Sequence, residues 1–279
     1  MGNLIRTTIL MAALTVLFVV VGGALGGEQG AVMAFVLAAG MNFFAYFFSD
    51  KMVLARYRAR RVGPEDEPRL YRIVEQLAQQ ANLPMPKVYI IPDRTPNAFA
   101  TGRNHRHAAV AATEGILELL GDDELAGVMA HELAHVKHYD ILSGTVASTF
   151  AGAIALISRS AMYSGQNRQS GSNPLFALLT VVAAPLIAMI IRMSISRVRE
   201  FAADEGGADI SRKPLGLASA LEKISAAARR RPLLRMNSAH AHMFIVNPLS
   251  GRGLSNLMAS HPPMEERVRR LRAMATSEA

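Results

Sequence analysis

Residues 131 to 135 read His-Glu-Leu-Ala-His, a pattern that combines two metal-binding imidazoles with a carboxylate. On an α-helix, His131 and His135 lie on one face about 6 Å apart along the axis, a spacing that allows both to bind one zinc ion. Glu132 lies about 100° round the helix from His131, beside the metal, where it can act as a general base toward the metal's water molecule. The five residues therefore predict a zinc-dependent hydrolytic centre.

The residues ahead of this motif predict that it lies well inside a helix. Three acids, Asp122 to Glu124, suit a helix N-terminus because they oppose the positive end of the helix dipole. The stretch 125–130 that follows is largely apolar and predicts a buried helix. Two histidines and a glutamate are costly on a buried helix unless they are paired or bound to metal, which argues against a chance match.

A third ligand is predicted where an apolar segment ends, in the sequence 196–204. Glu200 and Asp204 share one helical face, and two histidines plus one glutamate leave a coordination position open for water, as in catalytic zinc sites. Asp204 can accept a hydrogen bond from the free ring N–H of a ligand, with His131 the expected donor. An ordinary acidic pair beside two arginines is the alternative, and His240 and His242 are then the next ligand candidates.

Four motifs in order resemble the HtpX-like membrane zinc endopeptidases, which are relatives of the CAAX prenyl-protein proteases. They are NAFATG at 97–102, HELAH at 131–135, EFAAD at 200–204 and SHPP at 260–263. The resemblance spans nearly the whole chain. It implies that one Zn²⁺ per chain supports the cleavage of misfolded or damaged membrane proteins, as in the quality control of the bacterial inner membrane.

The resemblance also implies roles for residues outside the zinc motif. His261 would stabilise the oxyanion of the tetrahedral intermediate. In this architecture an edge strand next to the metal binds the substrate backbone, which assigns substrate binding to Asn97, Ala98, Phe99 and Ala100. Taken alone, an asparagine after a proline is as typical of a turn.

The helix predicted after His261 starts near two prolines, which favour a first helical turn. Val268 and Leu271 are expected to pack on the core, and Arg267, Arg269 and Arg270 are expected to be largely solvated.

A membrane protein is indicated by composition, since 51% of the residues are hydrophobic. Charge-free runs cover 7–27, 29–49, 141–158 and 169–191, each close to the roughly 20 residues that cross a bilayer as a helix. A cleaved signal peptide is the alternative for the first run. A buried or re-entrant hairpin is the alternative for the last two.

Basic residues set the expected orientation. Five of them follow the second run between 51 and 61, whereas the turn between the first two runs holds only Glu28, so both termini and the active site are predicted to face the cytoplasm. If the hairpin spans the membrane, the interface would be marked by Asp140, Arg192, Arg197 and Arg199. The net charge of +8 fits anionic lipid headgroups, and without tryptophan or interleaved aromatics it does not favour nucleic acid.

The expected fold class is α+β and mainly helical: an integral membrane zincin-type metalloprotease with four apolar helices and a small sheet that offers an edge strand. Residues 1–50 would form two transmembrane helices, and 51–279 a cytoplasmic zinc protease domain interrupted by a helical membrane hairpin at 141–195. Patterning predicts a helix over 65–82 and strands over 87–91, 98–102 and 107–112.

Two other functions are compatible with a membrane zinc site. A non-cleaving zinc-containing adaptor would bind unfolded chains, although it would have no use for Glu132. A maturation protease would act on one lipidated substrate and would need a large intramembrane chamber, which four apolar segments make less favourable.

Overall fold

The computed structural model of the protein describes residues 2–146, 197–230 and 262–277. The chain begins with a long apolar helix, α1 (Gly2–Arg56), which is broken at Gly26 and Gly27. Gly27 has a φ of 61°, a conformation that glycine adopts without a steric penalty. The two halves, Thr7–Ala24 and Gly26–Arg56, are each long and apolar enough to cross a membrane. The first two predicted apolar helices are therefore present, and the second extends further than its charge-free run.

The two halves of α1 pack closely against each other near the break. A Cβ atom added to Gly30 would lie only 2.2 Å from the carbonyl oxygen of Gly22, so only glycine fits there. Large apolar side chains on the outside are open to the surroundings, including Met33 at 74% and Val36 at 63% exposure. Such exposure along two helices is expected where lipid rather than water is the solvent.

A further helical segment starts at Asp140 and continues to residue 146, where this described range ends. Its residues Leu142 and Val146 are buried in one cluster with Leu14 and Ala45 of α1. The start of the third predicted run thus lies among the N-terminal helices. The rest of that run and all of 169–191 fall outside the described residues, so two of the four apolar helices are observed together with the first turns of a third.

The sheet has four strands: β1 (Arg60–Arg61), β2 (Lys87–Ile91), β3 (Ala98–Gly102) and β4 (Ala108–Thr113). Their spatial order is β1-β2-β4-β3, with β2 and β4 parallel and the other two pairs antiparallel. Within the described residues β3 is therefore an edge strand, as predicted. The predicted strand boundaries hold to within one residue.

Six helices complete the described domain: α2 (Pro68–Gln80), α3 (Glu114–Leu119), α4 (Asp122–Lys137), α5 (Arg197–Ser211), α6 (Pro214–Arg230) and α7 (Met264–Ser277). Leu70, Val74 and Leu77 are buried along one face of α2, which is the helical spacing seen in the sequence. The central helix α4 packs against α2, α5, α6 and β3. The mainly helical α+β prediction is confirmed.

Glycines allow two helices to approach the backbone of α4 closely. A Cβ atom added to Gly207 of α5 would lie 2.8 Å from the backbone nitrogen of His131. One added to Gly127 of α4 would lie 2.6 Å from the backbone nitrogen of Leu217 in α6. The close contact of α5 with α4 brings the first turn of α5, which carries Glu200, toward the histidine motif.

Candidate metal centre

The two histidines of the motif and Glu200 converge on one point. The rings of His131 and His135 lie 4.8 Å apart between centroids and are nearly perpendicular. The Nε2 atoms of His131 and His135 lie 3.9 and 3.7 Å from the carboxylate oxygens of Glu200. One ligand atom from each of the three residues lies within 4.8 Å of the others, so a single metal ion can bridge them.

A carboxylate stands behind each histidine. His131 Nδ1 lies 3.0 Å from Asp204 Oδ1, although the N–H direction is poorly aligned for a hydrogen bond. His135 Nδ1 lies 3.2 Å from Asp140 Oδ2, which is within hydrogen-bond distance. Carboxylates in these positions favour a proton on Nδ1, which leaves the Nε2 lone pairs directed at the metal position.

The short distance between Asp204 and His131 fits the role expected from the sequence, whereas a contact of Asp140 with His135 was not predicted. Asp140 is 9% exposed, and its other oxygen lies 3.5 Å from a guanidinium nitrogen of Arg199. Its position five residues after His135, just past the end of α4, is the only signal in the sequence for this role. That signal is weak because a turn separates the two residues.

The charges around the site fit a divalent cation. Four carboxylates are each less than 10% exposed: Glu132, Asp140, Glu200 and Asp204. Two guanidinium groups, Arg199 and Arg267, lie among them, so two negative charges remain unbalanced when both histidines are neutral. Two imidazole nitrogens and one carboxylate oxygen are also the donor set of catalytic zinc sites. The residues present therefore fit a zinc ion both in charge and in chemistry.

The same excess of negative charge acts on His135. Burial by itself would lower the pKa of His135, but the hydrogen bond with Asp140 and the nearby charges of Glu200 and Glu132 outweigh it and raise this pKa to about 9. A cation at this position is thus favoured whether it is a proton or a metal ion.

Glu132 lies beside the three ligand residues and is itself buried. Its Oε2 accepts a hydrogen bond of 2.8 Å from the backbone N–H of Ala100 in β3. Burial raises the pKa of Glu132, against the opposing effect of the two histidines. A carboxylate with a raised pKa is well suited to accept a proton and release it again near neutral pH.

The edge strand presents its backbone to this site. Thr113 N–H donates to Asn97 O over 2.9 Å, which sets the register of β3 against β4. Because bonding alternates along an antiparallel pair, Phe99 and Thr101 also bond to β4, and the backbone groups of Ala98 and Ala100 are directed away from it. Asn97 itself is buried at the start of the strand.

Arg267 corrects one prediction from the sequence. It was expected to be solvated, but it is 0% exposed and holds Asp204 through two hydrogen bonds, Nε to Oδ2 at 2.8 Å and Nη2 to Oδ1 at 2.6 Å. Burial alone would raise the pKa of Asp204, but Arg267 outweighs it and lowers this pKa to about 2. Val268 and Leu271 are buried as expected. The helical pattern of α7 could not single out one arginine, because its partner lies on α5.

Three candidate histidines lie outside the described residues, which resume at Pro262: His240, His242 and His261.

The fold and the site together define a metalloprotease attached to a membrane by apolar helices. Residues 64–275 match Peptidase family M48, and the chain belongs to this family. The resemblance found in the motifs is thus confirmed, and the enzymatic interpretation prevails over the non-cleaving adaptor.

Relatives match over nearly the full length of the chain. A "Protease HtpX homolog" of Syntrophobacter fumaroxidans is 51% identical and covers 98% of this chain and 100% of its own. Proteins with the same description from Methylibium petroleiphilum and Burkholderia mallei are 54% and 52% identical, covering 98% and 99% of this chain and 98% of their own.

The crystal structure of Ste24p from S. mikatae has a similar fold. It superposes with a TM-score of 0.53 at 16% identity, and the match covers 97% of this chain. The chain spans 65% of the length of that structure.

Proposed function

We propose that the protein is a zinc-dependent endopeptidase that hydrolyses peptide bonds of misfolded or damaged membrane proteins, and so serves membrane protein quality control. The observation that carries the proposal is the convergence of His131, His135 and Glu200 beside Glu132, next to an edge strand and the apolar helices. Unfolded or membrane-inserted polypeptides are the substrates that such a location makes accessible.

His131, His135 and Glu200 would hold one Zn²⁺ per chain, with Asp204 and Asp140 orienting the two imidazoles. A bound zinc ion polarises the scissile carbonyl group and acidifies water. Glu132 takes the proton from the attacking water and passes it to the leaving amine. The outward backbone groups of Ala98 and the carbonyl group of Ala100, whose N–H donates to Glu132, hold the substrate as an added strand. Asn97 and Phe99 fix the position of that strand.

The direct test is casein cleavage by the full-length protein purified in detergent with zinc. Glu132→Gln is expected to lower the rate by roughly 10²- to 10⁴-fold, the usual contribution of a general base, while one zinc per chain is retained. Glu205→Gln is the matched control, because Glu205 is exposed on the same helix as Glu200. A zinc-loaded Glu132→Gln protein that cuts casein at the control rate would refute the mechanism.

His261 is proposed to stabilise the oxyanion. It lies six residues before Arg267, whose side chain reaches the metal ligands, so the start of α7 is close to the site. His261→Ala is expected to keep its zinc and its fold and to lower kcat by about 10²- to 10³-fold, the cost of losing one oxyanion donor. An unchanged kcat, or a loss of zinc, would assign this residue another role.

The protein is proposed to be a multi-pass protein of the bacterial cytoplasmic membrane, with the active site and both termini in the cytoplasm. Residues 1–50 would form the first two spans, and a hairpin at 141–195 would interrupt the protease domain. Reporter fusions after residues 60 and 279 should then indicate the cytoplasm, and one within 163–174 should indicate the outside. A cytoplasmic signal from 163–174 would show that the hairpin does not span.

A further inference from the structure

The edge strand β3 runs alongside the end of α1. The ring of Phe99 lies 5.5 Å from that of Tyr57, and the guanidinium of Arg103 lies 5.3 Å from the ring of Phe47. Going from Phe99 to Arg103 advances about 13 Å along an extended strand. Going back from Tyr57 to Phe47 covers about 15 Å along a helix. Because the two distances agree, β3 descends antiparallel to the last turns of α1, with Gly102 at the end nearer the apolar helices.

The helical segment 140–146 indicates the same direction for β3. The segment 140–146 starts at the metal centre, where Asp140 contacts His135, and then enters the apolar cluster of the N-terminal helices. Five residues further on, Thr145 Oγ1 lies 3.0 Å from Thr101 Oγ1, and both side chains are buried. The C-terminal half of β3 therefore follows this segment toward the membrane.

The level of the membrane surface is indicated by the side chains of α1. Four exposed aromatic residues, Phe43, Phe44, Phe47 and Phe48, come directly before the first charged residues of that end, Asp50 and Lys51. The change from apolar to charged residues at this point of the helix places the membrane–water interface close to Phe47 and Phe48. Arg103 above Phe47 is then at the interface, and Ala100, which contacts Glu132, lies about 10 Å farther from it along the strand.

The direction of β3 determines how a substrate would be oriented. Antiparallel pairing is slightly more stable per residue than parallel pairing, so a substrate added to β3 is expected to run against it. The part of the substrate on the N-terminal side of the cut then lies beside Gly102 and Arg103, at the membrane. The part on the C-terminal side lies beside Ala98 and Asn97 and leads into the cytoplasm.

We propose that the site takes cytoplasmic segments that follow a membrane helix, so that the N-terminal side of the segment is held in the membrane and the cut falls close to the end of that helix. This inference rests on the proposed peptidase function. From Ala100 to the level of Arg103, three or four extended residues suffice, at roughly 3.3 Å each.

A segment that precedes its membrane helix meets a different geometry. Its C-terminal side leaves the site past Asn97, about 20 Å from the level of Arg103, and must turn back to reach the membrane. That path needs about a dozen residues between the cut and the membrane helix, at roughly 3.3 Å per residue plus a turn. A short spacer therefore discriminates between the two orders of segment and helix.

The experiment uses the zinc-loaded full-length protein in proteoliposomes with two matched substrates. Both carry the same unstructured test segment and the same single membrane helix, but the helix precedes the segment in one substrate and follows it in the other. Spacers of 5 and 20 residues separate helix and segment, initial rates are measured, and cut positions are mapped by mass spectrometry. The Glu132→Gln protein and soluble casein serve as the inactive and the topology-free controls.

With the 5-residue spacer, the substrate whose helix comes first is expected to be cut at least about tenfold faster, because a misplaced scissile bond costs roughly 10²-fold in rate. With the 20-residue spacer the two rates should become similar. Equal rates at the short spacer, or the opposite preference, would overturn the inference and leave the peptidase function intact. The same conclusion would follow if casein were cut and neither short-spacer substrate were. Failure to cut casein as well would remove the proposed function and this inference with it.

Discussion

Replacing Arg267 by methionine tests whether the C-terminal helix supports the metal centre. Arg267 is 0% exposed and makes two hydrogen bonds of 2.6 and 2.8 Å to Asp204, which is 2% exposed. Methionine fills a similar volume but leaves the Asp204 carboxylate buried without its cation. Breaking one partner of a buried pair costs about 3–5 kcal/mol, a large share of the roughly 5–15 kcal/mol by which a domain is stable.

The loss is measured by thermal unfolding of the metal-free protein in detergent. For a domain of this size, 3–5 kcal/mol corresponds to a decrease in Tm of about 6–20 °C. Arg269→Met is the matched control, because Arg269 lies on the same helix with a side chain that is 75% exposed and pairs with Glu266. Its effect is expected to stay within about 0.5 kcal/mol.

The double variant Asp204→Leu with Arg267→Met separates stability from metal binding. Removing both buried charges should recover much of the lost Tm, since apolar replacements of buried pairs are often neutral or stabilising. Zinc affinity should still fall by about 10- to 100-fold, because His131 has lost the carboxylate behind it. An Arg267→Met protein with the wild-type Tm, or a double variant with wild-type zinc affinity, would refute this account of the site.

Three further changes have expected outcomes. Gly207→Ala should weaken zinc binding and lower Tm, because the Cβ of the alanine would lie 2.8 Å from the backbone nitrogen of His131. Metal titration measures the zinc affinity and thermal unfolding the Tm. Unchanged values of both would contradict the close packing. Asp140→Ala should lower zinc affinity by about 10- to 100-fold, measured by chelator competition. Glu124→Gln should cost about 1 kcal/mol at pH 7, because Glu124 caps α4 and pairs with Lys223. Burial alone would raise the pKa of Glu124, but its hydrogen bonds outweigh this effect and hold the pKa below 4.5. The contribution to stability is therefore present above about pH 4.5 and is lost as the pH falls through the lower pKa of the folded state. The stabilities of wild type and variant should thus converge on acidification.

Much of the site could be predicted from the sequence because its main features are local. The shared face of His131 and His135 follows from the helical repeat, and so does the shared face of Glu200 and Asp204. The two N-terminal apolar helices follow from composition over a window of about 20 residues. The strands and α2 follow from patterning with periods of 2 and 3.6, which each segment carries on its own.

Only the tertiary structure decided which of these local faces meet. Arg267 is one of three arginines in the sequence 267–270, and nothing in α7 itself indicates which arginine faces Asp204 on α5. The contact of Ala100 with Glu132 and the descent of β3 along α1 likewise depend on elements distant in the chain. A periodic pattern determines which residues of one helix or strand share a face. The partner of that face is determined by how all the elements pack together, and that depends on the whole chain at once.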